Sequence, residues 1–334
     1  MSDTELPRLA ITMGDPAGIG PEVILKALAR RPELWEQVVI FGAEEVLREE
    51  DRFLAGTRAE YRSPLSAVEI EEISEGVRFG GRPAGRPDER CATMQSRALT
   101  RGIEAMKRGD AQALVTAPIN KALFRLIGEA PQGHTERLAD AFGVDDVVMM
   151  LAGPRLRVAL VTTHCALSEV ATGVTPERVR RTVTITAGSL RREFGVDRPR
   201  VALCALNPHA GERGTMGEEE QEWIGPLADE LRRELRGVEL VGPLPSDTLF
   251  SGFRTGQPYD AVVALYHDQG LIPLKLLHFG ESANITLGLP VVRTSVDHGT
   301  AYDIAGQGRA DEGSMVFALQ SAWDLWSRRS RGER

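Results

Sequence analysis

The sequence predicts an α/β protein built as two lobes, and three observations carry that prediction. Short β-rich runs alternate with amphipathic helical stretches along most of the chain, the pattern of a largely parallel sheet layered with helices. At 334 residues the chain is long for one hydrophobic core, so two lobes are expected. Several polar motifs also fall directly after apolar runs, and ligands bind at the carboxyl ends of strands in open α/β sheets.

Taken in order, residues 9–13 read as the first strand and lead into Met13-Gly14-Asp15-Pro16-Ala17-Gly18-Ile19-Gly20-Pro21-Glu22. Glycines there permit close backbone approach, and Pro21 suits the first turn of a helix over 22–30. The spacing is G-x-x-x-G-x-G rather than the G-x-G-x-x-G dinucleotide fingerprint. A tight strand-to-helix turn and a ligand loop therefore stay equally open for this motif. A strand over 38–41 follows, then a Gly- and Pro-rich loop over 79–88 and a helix over 93–108. The strand 113–116 ends in Thr116-Ala117-Pro118-Ile119-Asn120-Lys121, with Lys121 read as solvated. Gly133-His134-Thr135-Glu136 precedes a helical stretch, with Thr135 as its N-cap and free N–H groups able to attract an anion. Strands over 147–151, 157–161, 201–206 and 261–265 and helices over 176–193 and 218–236 complete the pattern. The tail 327–334 is polar and basic and is expected to fray.

Composition narrows the function. A net charge of −8 argues against a nucleic-acid binder, which normally carries a basic face. No apolar stretch approaches the length of a membrane span, and the first residues show no secretory signal. Cys91, Cys165 and Cys204 are odd in number and lack C-x-x-C spacing. This fits a reducing cytoplasm and argues against a cysteine zinc site.

Among six histidines, His164, His209 and His267 each follow an apolar run. Any one of them could be an ordinary hydrogen-bonded histidine at a strand end. Three in the same context favour a divalent metal site with positions left for water or substrate. His278, after Leu276-Leu277 on a helical stretch, reads as structural. Lys275 and Arg293 could grip a carboxylate or phosphate, Arg293 in bidentate fashion.

From Met13 to about Ser314, these motifs occur together with Leu-Asn-Pro-His-Ala-Gly-Glu, Tyr-His-Asp-Gln-Gly-Leu, Asn-Ile-Thr-Leu-Gly-Leu-Pro and Arg-Thr-Ser-Val-Asp-His-Gly-Thr-Ala. In this the chain resembles the 4-hydroxythreonine-4-phosphate dehydrogenases of pyridoxal phosphate biosynthesis. Residues 52–90 carry no matching motif, and Ala283 stands where the family has Val. The resemblance implies a fold like the isocitrate and isopropylmalate dehydrogenases, two α/β lobes with a cleft between them. The expected division is residues 1–125 plus 275–334 as a cofactor-side lobe and 126–274 as a metal, substrate and dimerisation lobe. His298-Gly-Thr-Ala-Tyr-Asp-Ile-Ala-Gly306 is similar to the cofactor loop of that wider group.

Carried over by position, the resemblance implies His164, His209 and His267 as metal ligands. It implies His134, Thr135, Lys275, Asn284 and Arg293 as substrate contacts, and Gly14, Asp15, Gly18, Gly299 and Asp303 as cofactor contacts. Asp247 and Lys275 are the candidates for general base. The cofactors implied are NAD or NADP and one divalent ion per site, zinc, magnesium or cobalt. The implied partners are a phosphorylated small molecule and a second copy, with the site at the homodimer interface and His164 facing the other subunit's His209 and His267. The implied reaction oxidises 4-phosphooxy-L-threonine at C3, and the β-keto acid loses CO₂ to give 3-amino-2-oxopropyl phosphate. Two other readings stay open: a paralogous dehydrogenase of threonate or erythronate 4-phosphate, and a three-histidine hydrolase or aldolase.

Overall fold

The computed structural model describes residues 7–332. The readings of the extreme N-terminus and of the last two residues lie outside the described residues. The chain forms two compact units, one running through Asp145 and joined by Leu289–Ser327, the other Asp146–Gly288 with Arg328–Arg334. The boundaries thus fall later than 125 and 275. The first unit keeps the helix that starts at His134, while Lys275 and Asn284 belong to the second.

The first unit carries strands β1 (Leu9–Thr12), β2 (Val38–Gly42), β3 (Glu69–Glu72) and β4 (Ala113–Thr116). Its helices are α1 (Gly20–Ala29), α2 (Glu44–Thr57), α3 (Glu89–Arg108) and α4 (His134–Phe142). The second unit contributes β5 (Val148–Ala152), β6 (Arg157–Leu160), β7 (Arg200–Cys204), β8 (Glu239–Leu244), β9 (Ala261–Ala264) and β10 (Ala283–Leu287). Its helices are α5 (Leu167–Gly173), α6 (Pro176–Arg192), α7 (Gly225–Glu234), α8 (Ser246–Leu249) and α9 (His267–His278). The chain ends with β11 (Val292–Val296), back in the first unit, and α10 (Gly313–Gly332). Residues 327–332, expected to fray, continue that helix.

In the first unit the strand order is β3-β2-β1-β4-β11 and every pairing is parallel. The central strands β1 and β4 are buried along their whole length, as an apolar run covered on both faces requires. Local signals set the helix ends. Asp88 caps α3 by accepting the N–H groups of Arg90 and Cys91, and Gly109 closes it in the left-handed region.

In the second unit the order is β10-β5-β6-β9-β7-β8; β5 is antiparallel to both neighbours, while β6, β9, β7 and β8 run parallel. Its core gathers Leu151, Val158, Leu160, Val262, Phe253 and Leu274. Because β6, β9 and β7 are parallel neighbours, their carboxyl ends reach one edge, and the chain after each carries His164, His267 and His209 in turn. In the first unit, the carboxyl ends of β1, β4 and β11 likewise meet.

Candidate active site

In the first unit, three loops lock together at the strand ends. Gly14 adopts a φ of 71°, and a Cβ there would stand 2.3 Å from the Pro118 carbonyl oxygen, so only glycine fits. The Asp15 N–H donates to that same oxygen at 2.9 Å. The buried Asp15 carboxylate accepts from Ala17 N–H at 2.9 Å and from the Tyr302 hydroxyl, while Asn120 Nδ2 donates to the Tyr302 oxygen at 3.0 Å. Burial raises the pKa of Asp15, and its bonds to Tyr302 and Ala17 oppose that. Gly18 lies against Thr300, whose carbonyl accepts Ile19 N–H at 2.9 Å. Gly14, Asp15 and Gly18 therefore hold the loop through internal contacts. Gly299 and Asp303 are exposed, and nothing lies within 4 Å of a Cβ built on Gly299. The backbone at Gly299 is therefore open to solvent.

Residues 52–90, silent in sequence, brace these loops. Gly85 N–H donates to Ala17 O at 2.8 Å, and Arg82 donates to Gly306 O while pairing with Glu50 at 2.9 Å.

Arg293, on β11 and 2 % exposed, donates from Nη2 to Thr116 Oγ1 at 2.7 Å. Burial lowers its pKa and the Glu136 charge opposes this. His134 opens α4, and the N-cap is Gly133, not Thr135, because the helix begins one residue before that threonine. Among the described residues, His134 Nε2 is buried without a hydrogen-bond partner. Burial holds the pKa of His134 well below its ordinary value, aided by the charges of Arg293 and Arg137. A buried guanidinium, an imidazole and the free N–H groups of a helix start make a site for an anion.

In the second unit, the His164 and His267 rings lie 5.6 Å apart between centroids. Both line a cavity of about 360 Å³ with Thr163, Tyr266 and Asp268. This pair needs no second copy to form. His267 Nδ1 lies 2.7 Å from Asp268 Oδ1. A carboxylate on one ring nitrogen orients the other toward a ligand, as at metal-bound histidines. The donor chemistry therefore fits a divalent ion. Among the described residues no three His, Cys, Asp or Glu side chains of one chain gather around a point. One chain brings the pair together, not the whole trio.

His209 is exposed and stands in an unusual turn. Residues 209–213 all have positive φ, with His209 at 53°, Ala210 at 54° and Glu212 at 41°. Such backbone costs about 1–3 kcal/mol per residue and collects at functional sites.

Asp247 is exposed at the start of α8, and Lys275 lies half-buried on α9 with Nζ 5.8 Å from the Phe279 ring centroid. Neither lines the imidazole cavity. Asn284 lies on β10, where its Oδ1 is buried without a hydrogen-bond partner among the described residues. His278 is buried, in keeping with a structural role.

Sequence reading missed Gln269. Its Oε1 accepts Leu265 N–H at 2.7 Å, and its Nε2 donates to Ala205 O at 2.7 Å and Ser246 Oγ at 2.9 Å. One amide thus ties the chain leading to His267, His209 and Asp247. The signal available was its place in Tyr-His-Asp-Gln, two residues after His267.

The model of the pyridoxal phosphate biosynthetic protein PdxA family matches residues 34–322. A 4-hydroxythreonine-4-phosphate dehydrogenase of Geobacter metallireducens is 45% identical, with 96% of this chain and 95% of that protein covered. The crystal structure of the enzyme of that name from Klebsiella pneumoniae aligns with a TM-score of 0.82 at 38% identity, covering 97% of this chain and 99% of that one. Isocitrate dehydrogenase from Methylococcus capsulatus shares the fold, with a TM-score of 0.50 at 15% identity over 96% of this chain and 88% of that one. The chain belongs to the PdxA family of pyridoxal phosphate biosynthetic proteins.

Proposed function

We propose that the protein oxidises 4-phosphooxy-L-threonine at C3 with NAD or NADP and a divalent ion, giving 2-amino-3-oxo-4-phosphooxybutanoate. That β-keto acid decarboxylates to 3-amino-2-oxopropyl phosphate. Family membership supports the reaction, and the observation that supports the chemistry is the His164–His267 pair, oriented by Asp268 in one cavity.

In this reading His164, His209 and His267 hold the ion, whether zinc, magnesium or cobalt. When bound, the ion supplies Lewis acidity to the C3 hydroxyl and the nicotinamide supplies the hydride acceptor. Arg293, His134 and Thr135 at the start of α4 hold the phosphate, fixing the substrate's far end so that C3 is presented in one orientation. Asn284 and Lys275 complete the substrate contacts. Asp247 and Lys275 are the groups proposed to take the hydroxyl proton. Gly14, Asp15, Gly18, Gly299 and Asp303 belong to the two loops proposed to receive the cofactor.

A homodimer completes the site in this reading. Support comes from α9 and its C-cap, where Ile272 and Leu276 on the helix and Phe279 just after it are 64%, 85% and 82% exposed. An unburied apolar stripe beginning one turn from His267 fits a second copy of the chain. The three free cysteines fit a cytoplasmic protein, and no helix among the described residues is long and apolar enough to cross a membrane.

The test is reduction of NAD⁺ and NADP⁺ by 4-phosphooxy-L-threonine and, separately, by erythronate 4-phosphate, before and after chelation and with Zn²⁺, Mg²⁺ or Co²⁺ restored. Turnover of the threonine phosphate that disappears on chelation and returns with metal is expected. Turnover of the sugar acid alone would replace the substrate assignment with the paralogous one.

A further inference from the structure

We propose that Glu220 is a positioning residue for His209, its buried carboxylate fixing the left-handed turn that presents the imidazole. The inference rests on the reading of His209 as a metal ligand.

Glu220 is 6 % exposed and begins a π-helical turn, Glu220–Ile224, just before α7. Its Oε1 accepts the backbone N–H groups of Leu206 and Asn207, both at 2.8 Å. Its Oε2 accepts Asn207 Nδ2 at 2.9 Å, and the same amide nitrogen donates to Glu219 Oε2 at 2.7 Å. All three donors to Glu220 belong to the residues directly ahead of Pro208 and His209. Among the described residues no cation pairs with this carboxylate, so N–H groups alone meet its charge. A buried carboxylate satisfied in this way is a fixed anchor, since shifting the chain would strip it of its donors.

The turn that follows needs such an anchor. His209, Ala210, Glu212 and Arg213 all lie at positive φ, a region L residues avoid. Conformations of this kind persist only where the surroundings over-determine them. The far end of the turn is held by its own backbone, with Gly214 N–H on Gly211 O at 2.9 Å and Met216 N–H on the same oxygen at 3.0 Å. The near end, where His209 sits, is held by Glu220. A ligand imidazole must be placed to within about half an ångström to bind an ion well. Asp268 does this for His267 by gripping its ring, whereas His209 is exposed and, among the described residues, its ring has no comparable clamp; its backbone is what is fixed.

The experiment uses Co²⁺ as the probe with the full-length protein and its Glu220→Ala, Glu220→Gln and His209→Ala variants. Co²⁺ affinity by calorimetry, the visible absorption of bound Co²⁺ and the melting temperature of the metal-free protein are read together. Glu220→Ala is expected to weaken Co²⁺ binding about 10- to 100-fold and to alter the absorption bands. Glu220→Gln, which retains one acceptor oxygen, should lose less, at an unchanged melting temperature. If His209→Ala binds Co²⁺ as the parent does, the metal reading of His209 fails. If His209→Ala loses the ion while both Glu220 variants keep the parent affinity and spectrum, the positioning role fails. Should Glu220→Ala not fold, Glu220→Gln decides: parent-like affinity overturns the proposal, and a several-fold loss with altered bands sustains it.

Discussion

Tyr302 donates its hydroxyl hydrogen to the buried carboxylate of Asp15, and Asn120 donates to the same tyrosine oxygen. That relay joins the loops after β11, β1 and β4, so the glycine-rich turn and the exposed loop at Gly299 form one rigid piece. Tyr302→Phe leaves Asp15 buried with one donor fewer, which should cost about 1–3 kcal/mol of stability. Urea unfolding measures it, and the KM for the nicotinamide cofactor should rise in the same variant. An unchanged midpoint would show that the relay carries no structural weight.

Asp268 orients His267 through a 2.7 Å contact. Asp268→Asn should weaken divalent-ion binding by roughly 10- to 100-fold without unfolding the protein. His209→Ala should lose bound metal and nearly all turnover while keeping its circular dichroism spectrum. Metal content by atomic absorption checks both variants, and full activity of His209→Ala after chelation would remove the histidine site from the mechanism.

Arg293 is a buried cation facing the start of α4. Arg293→Met should cost about 2–5 kcal/mol in binding of the phosphorylated substrate, read as a higher KM. Phosphate-free L-threonine analogues should bind parent and variant alike, and a loss shared by both ligands would point to misfolding instead.

Glu193 is 4 % exposed, and burial pushes its carboxyl from 4.5 up to about 7, with Arg329 and Arg192 opposing. The folded state therefore keeps a proton that the unfolded chain releases. Its stabilising contribution is full below pH 4.5 and is lost as pH rises through about 7. Glu193→Gln cannot titrate, so its stability relative to the parent should climb across that window, by at most about 3 kcal/mol. Denaturation at several pH values tests this, and a constant difference would contradict it.

The strands legible in sequence were those buried on both faces, such as β1, β4 and β9, where apolar runs end in turn signals. β3 was not legible, because Glu69–Glu72 is three-quarters acidic and earns its place only by pairing with β2. β10 and β11 were hidden in a polar run, since Asn284, Thr286, Arg293, Thr294 and Ser295 interrupt any apolar pattern. The histidines announced themselves by their strand-end positions. Gln269 and Glu220 did not, because their work is to satisfy distant backbone groups, and nothing in the residue type reveals which carbonyl or N–H a side chain will reach. Thr135 was misplaced as a cap because glycine and threonine both suit that position, and residue type alone does not reveal that the helix starts at His134.

The return of the chain through β11 has a consequence for synthesis. β4 pairs with β1 on one side and with β11 on the other, so one edge of this strand waits while the 175 residues between Thr116 and Val292 are made. A nascent chain halted after Gly288 would present that bare, apolar edge to other chains, the kind of surface on which strands join wrongly. The first unit is thus last to be sealed although its first strand emerges earliest, and truncations before Val292 are expected to aggregate rather than leave a folded fragment.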